Sequence, residues 1–136
     1  MQNYFEQYLG QFPAQVFDKI NENFIRCSFF ELCSRYLSSC YTFAIEQNNS
    51  AGRSDFEMTG IPGTDYYKDD RLAEFKYFKA KEAERMLALS DPRPEDVAQV
   101  LAYAKDTKEK FPHYHVRSYI VYICANKGWK CWEVTP

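Results

Sequence analysis

The sequence predicts an α/β fold in which helical segments precede a sheet and further helices interrupt it before its last strands. Three observations predict this. Apolar residues recur every three to five positions between Pro13 and Ser39, short runs of strand formers separated by Gly- and Pro-rich turns follow, and residues 116–124 are almost unbroken strand former.

Taken in order, residues 2–10 read as a short helix with Tyr4, Phe5, Tyr8 and Leu9 on one side, closed by Gly10. Pro13 opens a helix predicted to run to about Ser39, with Val16, Phe17, Ile20, Phe24, Cys27, Leu32, Tyr36 and Cys40 as its buried stripe. Residues 41–46 form the first strand, Asn48–Gly52 a turn, and residues 53–58 the second strand. Gly60-Ile61-Pro62-Gly63-Thr64-Asp65 is dense turn chemistry, and residues 71–78 return as the third strand. Residues 80–89 are helix-capable, and Asp91-Pro92-Arg93-Pro94 breaks the chain. Pro94 then starts a helix to about Lys110, with Glu95 and Asp96 in its first turn, where the helix dipole favours acids. Val97, Val100, Leu101 and Ala104 are expected to face inward, with Gln99 and Tyr103 on another side. Residues 116–124 read as a strand covered on both faces and as the candidate sheet centre. Asn126-Lys127-Gly128 turns the chain into a final strand over 129–134. His113 and His115 have no acid or cysteine at metal spacing beside them, so they are expected at a loop or strand entry.

With 136 residues the chain is expected to be one domain, a helical part over 1–40 and a sheet core over 41–136. A composition of 46% hydrophobic and 26% charged residues excludes disorder. Eleven Tyr and eleven Phe can thicken a small core or line a groove on which bases stack. The net charge of -2 does not advertise a nucleic-acid binder, although cations gather locally at Arg53, Lys68, Arg71, Lys76, Lys79 and Lys81. Cys27, Cys33, Cys40, Cys124 and Cys131 form no C-x-x-C pair, which argues against structural zinc and for reduced, mostly buried thiols in a cytoplasmic protein. No run reaches the roughly 18 apolar residues of a membrane span, and residues 1–20 lack the pattern of a signal peptide.

The chemistry concentrates on the second and third strands. A hairpin with its midpoint near Thr64 and Asp65 sets Asp55 opposite Glu74, where Cβ atoms come within about 5 Å. Side chains alternate along a strand, so Glu74 and Lys76 share a face while Phe75 points away. Two facing carboxylates need a shared proton or a cation between them. Mg²⁺ suits such a pair, since it takes one or two carboxylates and fills its shell with water and phosphate oxygens. A solvated strand face would carry the same Glu-x-Lys spacing, so the weight rests on the combination with Asp55.

Gly52-Arg53-Ser54-Asp55 followed by Leu72-Ala73-Glu74-Phe75-Lys76 resembles the signature of the PD-(D/E)XK nuclease superfamily, specifically the branch often found at the C-terminus of bacterial AAA-ATPase-like proteins. The resemblance covers about residues 40 to 134, with Ser54 standing where the superfamily name has proline. It implies a restriction-endonuclease-like mixed sheet flanked by helices in αβββαβ order, here with a C-terminal hairpin strand. It also implies a Mg²⁺- or Mn²⁺-dependent nuclease hydrolysing phosphodiester bonds in DNA. Asp55, Glu74, the Phe75 carbonyl and Glu46 would be the metal ligands, and Asp55, Glu74, Lys76 and Gln99 the catalytic set. Gln99 reads equally as an exposed glutamine. Such proteins sometimes place an acid on the preceding helix near the metal, where Glu31 stands, although Glu31 reads first as a surface or capping glutamate. The alternative is an inactive domain that has kept the fold as a binding or interaction module, for instance docking on an AAA-ATPase-like partner.

Overall fold

The computed structural model describes residues 2–49 and 52–136, and the side chains of 3–45 and 55–136. Helix α1 spans Gln2–Gly10 and a 3₁₀ turn Ala14–Asp18, followed by α2 at Glu22–Leu37. Strands β1, β2 and β3 are Tyr41–Asn49, Gly52–Gly60 and Asp69–Phe78. Helices α3 (Ala80–Leu87) and α4 (Pro94–Lys110) cross back to β4 (His115–Cys124) and β5 (Gly128–Val134).

The helix expected over 13–39 is two pieces. Asn21 is extended and its side chain accepts the Phe24 N–H at 3.0 Å, so the residue caps a new helix instead of continuing an old one. The break resets the helical phase and changes the buried stripe. Ile25, Ser28 and Cys33 are buried with Arg26, whereas Cys27 and Tyr36 are exposed. Tyr36 stacks on Tyr4 at the surface.

All five strands form one mixed sheet in chain order, antiparallel except for the parallel β3–β4 pair that the α3–α4 crossover requires. The centre is therefore β3, not the apolar β4. The inner half of β4 is buried on both faces, which explains its composition, while β3 carries polar residues into the middle of the sheet. The β2–β3 register pairs Phe56 with Ala73 and Thr59 with Asp70, the register expected of a hairpin centred near Thr64 and Asp65. Gly60 fixes that turn, because a Cβ there would lie 1.6 Å from the Tyr66 carbonyl oxygen.

Alternation sorts the residues of β2 and β3 into two layers. Phe56, Met58 and Phe75 join Phe5, Phe17, Ile25 and Cys33 under α1 and α2. Rings of Phe29, Phe56 and Phe75 meet at 5.0 to 6.4 Å, so the aromatic excess is spent largely on this core. On the other face Val100 and Met86 pack on Ile120, Tyr122 and Phe78, and Tyr103 packs on Leu72. Tyr103 shares the side of α4 that carries Gln99, as spacing predicts, and that side is turned onto β3, with Tyr103 over Leu72 and Gln99 over Glu74.

All five cysteines are free, but only Cys33 and Cys124 are buried. The expectation of mostly buried thiols fails because Cys27 follows the altered phase of α2 and Cys131 lies on the edge strand β5. His113 lies in the turn before β4 and His115 at its first residue, both exposed. Among the described residues no helix is long and apolar enough to cross a membrane.

Candidate active site

Where β2 and β3 part, side chains replace the backbone ladder. The last paired residues are Phe56 and Ala73, and beyond them Asp55 Oδ2 accepts the Phe75 N–H at 3.0 Å. In an extended strand the N–H and C=O of one residue leave on the same edge, so the Phe75 carbonyl also faces this opening. Asp55 Oδ1 accepts from Arg26 Nη1 at 2.8 Å, and both side chains are nearly inaccessible, at 6% and 5% exposure. The carboxylate of Asp55 is thus held from β3 and from α2 at once.

Glu74 stands on the same layer as Asp55 and is 2% exposed. Its Oε1 accepts from Lys76 Nζ at 2.8 Å and from Gln99 Nε2 at 3.0 Å, while its Oε2 is buried without a hydrogen-bond partner. Burial pushes the Glu74 carboxyl up to about 7; the Lys76 ammonium pulls against this, and the carboxylates of Asp55 and Glu22 add to it. The Lys76 ammonium is itself held above its ordinary value: burial works against the charge, but the hydrogen bond to Glu74 and the fields of Glu74, Glu22 and Asp96 outweigh it.

Gln99 reaches the site because the start of α4 is pinned. The Tyr122 hydroxyl donates to Asp96 and accepts the Arg93 N–H at 2.9 Å, while Arg93 Nε donates to Asp96 at 2.9 Å. Tyr122 is the β4 partner of Lys76 in the parallel ladder. One turn further along α4, Gln99 is then directed at Glu74.

Glu74, Lys76 and Gln99 thus form one hydrogen-bonded group, and Asp55, bonded to the Phe75 N–H next in the chain to Glu74, acts on it through its charge. The backbone of Glu46 lies in register across from Asp55, between the pairs Ile45–Phe56 and Gln47–Ser54, and its side chain lies outside the described ones. Glu31 is exposed and pairs with Arg35 one turn along α2, which is the surface reading of that residue and not the metal-side one. The acid of α2 that acts on the site is Glu22, because the new cap at Asn21 brings the first turn of the helix, not its middle, beside Glu74 and Lys76. Arg26 is the residue that spacing did not reveal. Its signal was electrostatic, since a buried carboxylate needs a cation and Arg26 is the one cationic residue between Lys19 and Arg35.

Among the described residues no three Asp, Glu, His or Cys side chains gather into a metal cluster of their own. The oxygens at the opening are the carboxylates of Asp55 and Glu74 and the Phe75 carbonyl, hard acceptors of the chemical type that Mg²⁺ or Mn²⁺ takes along with water and phosphate. The unpartnered Glu74 Oε2 fits such an ion, having an acceptor lone pair that no protein donor uses.

A model of the PD-(D/E)XK nuclease superfamily matches residues 20–133. The chain belongs to this superfamily. The mixed sheet flanked by helices is the restriction-endonuclease-like fold of PD-(D/E)XK proteins, and the match takes in the whole sheet together with α2, α3 and α4. No curated protein matches the chain.

Proposed function

We propose that this PD-(D/E)XK domain is a metal-dependent nuclease that hydrolyses phosphodiester bonds in DNA. The observation that carries this reading is the meeting of Asp55 and Glu74 at the point where β2 and β3 part, with Lys76 hydrogen-bonded to Glu74. Asp55, Glu74 and the Phe75 carbonyl would hold Mg²⁺ or Mn²⁺, with Glu46 as a further ligand, and the ion would supply an activated water and offset charge at the phosphate. Lys76 orients the attacking water and stabilises developing negative charge, since its ammonium is half-buried beside the site and held above its ordinary pKa by Glu74. Gln99 keeps Glu74 Oε1 in place, leaving Oε2 for the ion.

A groove lined by Ile20, Asn21, Glu22, Asn23, Tyr77, Lys79, Lys81 and Glu82 lies beside the first turn of α2. Its lysines suit a phosphodiester backbone, and Glu22 belongs both to this groove and to the electrostatic surroundings of Glu74. We assign the whole chain, 1–136, to one cytoplasmic domain working in this way.

Mn²⁺ titration calorimetry on wild type and Asp55→Ala, paired with cleavage of DNA by wild type and Lys76→Ala, tests the proposal. The expected results are metal binding lost with Asp55 and turnover lost with Lys76 while the fold persists. Unchanged Mn²⁺ binding by Asp55→Ala would remove Asp55 from the site.

One observation favours a second reading. Both oxygens of Asp55 already accept protein donors, one of them a buried cation, as in a domain that has exchanged metal for an internal ion pair. Such a domain would act as a binding module, for instance on an AAA-ATPase-like partner. Absence of metal-dependent cleavage on single-stranded, duplex and branched DNA, with a stable protein complex in its place, is the outcome this reading expects.

A further inference from the structure

We propose that Arg26 is the resident counter-ion of Asp55, that a divalent cation must displace it, and that the released guanidinium then binds the phosphate being cleaved. This deepens the metal-dependent reading above and rests on it. Arg26 Nη1 sits 2.8 Å from Asp55 Oδ1, on the carboxylate expected to ligate the ion. A guanidinium and a divalent ion on one carboxylate repel, so the two occupancies compete. The same planar fork that grips a carboxylate grips a phosphate with equal geometry, which makes arginine suited to the exchange.

The structure also provides a path. Arg26 Nη2 donates to Asn23, an exposed residue that lines the groove with Lys79 and Lys81. The head group therefore joins the buried carboxylate to a residue of the groove wall, and the proposed exchange moves it from the first toward the second.

The test is Mn²⁺ titration calorimetry on wild type, Arg26→Gln and Asn23→Ala, with binding of a non-cleavable phosphorothioate oligonucleotide measured alongside. Arg26→Gln is expected to bind Mn²⁺ about tenfold more tightly and the oligonucleotide more weakly. Asn23→Ala, which alters only an exposed tether, is expected to tighten Mn²⁺ binding by a smaller factor; should Arg26→Gln fail to fold, this variant decides. Unchanged Mn²⁺ affinity in the variants, with wild type binding the ion normally, overturns the role of Arg26 and leaves the metal-dependent reading standing. Absence of Mn²⁺ binding in wild type and variants alike overturns that reading and this proposal together.

Discussion

Asp55 accepts the Phe75 backbone N–H at 3.0 Å, so a carboxylate on β2 takes the place that a backbone carbonyl would fill in a continuing ladder. This one bond couples the packing of the sheet to the chemistry at its opening. The Phe75 ring is buried in the core under α2, while its N–H and carbonyl face the site. Whatever disturbs the ring must disturb the donor set.

Phe75→Ala is therefore expected to cost about 3–5 kcal/mol, the usual range for a fully buried ring, and to weaken Mn²⁺ binding in addition. Phe75→Leu should keep most of both. Urea denaturation and calorimetry on the two variants check this, and a Phe75→Ala protein with wild-type Mn²⁺ affinity would separate core from site.

Asp55→Ala removes the acceptor for Phe75 and breaks the ion pair with Arg26 at the same time. Breaking a buried pair from one side costs on the order of 3–5 kcal/mol. Asp55→Asn retains an oxygen for the Phe75 N–H and should lose less. Chemical denaturation would contradict the buried-pair geometry if both variants matched wild type.

Asp70 predicts the pH dependence of stability. It is 2% exposed, its Oδ1 has no hydrogen-bond partner, and burial, with Glu57 diagonal to it across β2 and β3, pushes its carboxyl up to about 8. Between its unfolded value near 3.8 and about 8 the folded protein holds a proton that the unfolded chain releases, so stability falls as pH rises through that window. Asp70→Asn should flatten most of this fall, leaving the smaller part due to Glu74, and should equal or exceed wild type at the alkaline end. Denaturation midpoints across the window measure it; parallel curves for the two proteins would refute the assignment.

Gly60→Ala is expected to destabilise the fold by about 2–4 kcal/mol, because the added methyl meets the carbonyl of Tyr66 and the hairpin must open. The shift should appear in thermal unfolding. Any full-strength substitution there would mean that the turn is built differently.

Much of this molecule was legible in one dimension. The helix from Pro94, the strands from Tyr41, Asp69 and His115, and the β2–β3 register follow from local rules: proline at a helix start, alternation along strands, and a turn whose centre determines which residues face each other. The mixed sheet flanked by helices came with the superfamily signature at Asp55, Glu74 and Lys76, whereas the strand order with its parallel β3–β4 pair is a finding of the structure.

Other features depended on contacts that no local rule supplies. The break at Asn21 is decided by a side chain competing for a backbone N–H, and it alone determines that Arg26 turns inward and Cys27 outward. Gln99 reaches Glu74 because Asp96 and Tyr122 anchor α4 on the sheet. By itself, then, the sequence determined most of the elements, the β2–β3 register and the acids that face one another across it. Only the tertiary structure decided which cation neutralises them, because charge neutralisation in a buried site is settled by distance through space, and distance along the chain carries no record of it.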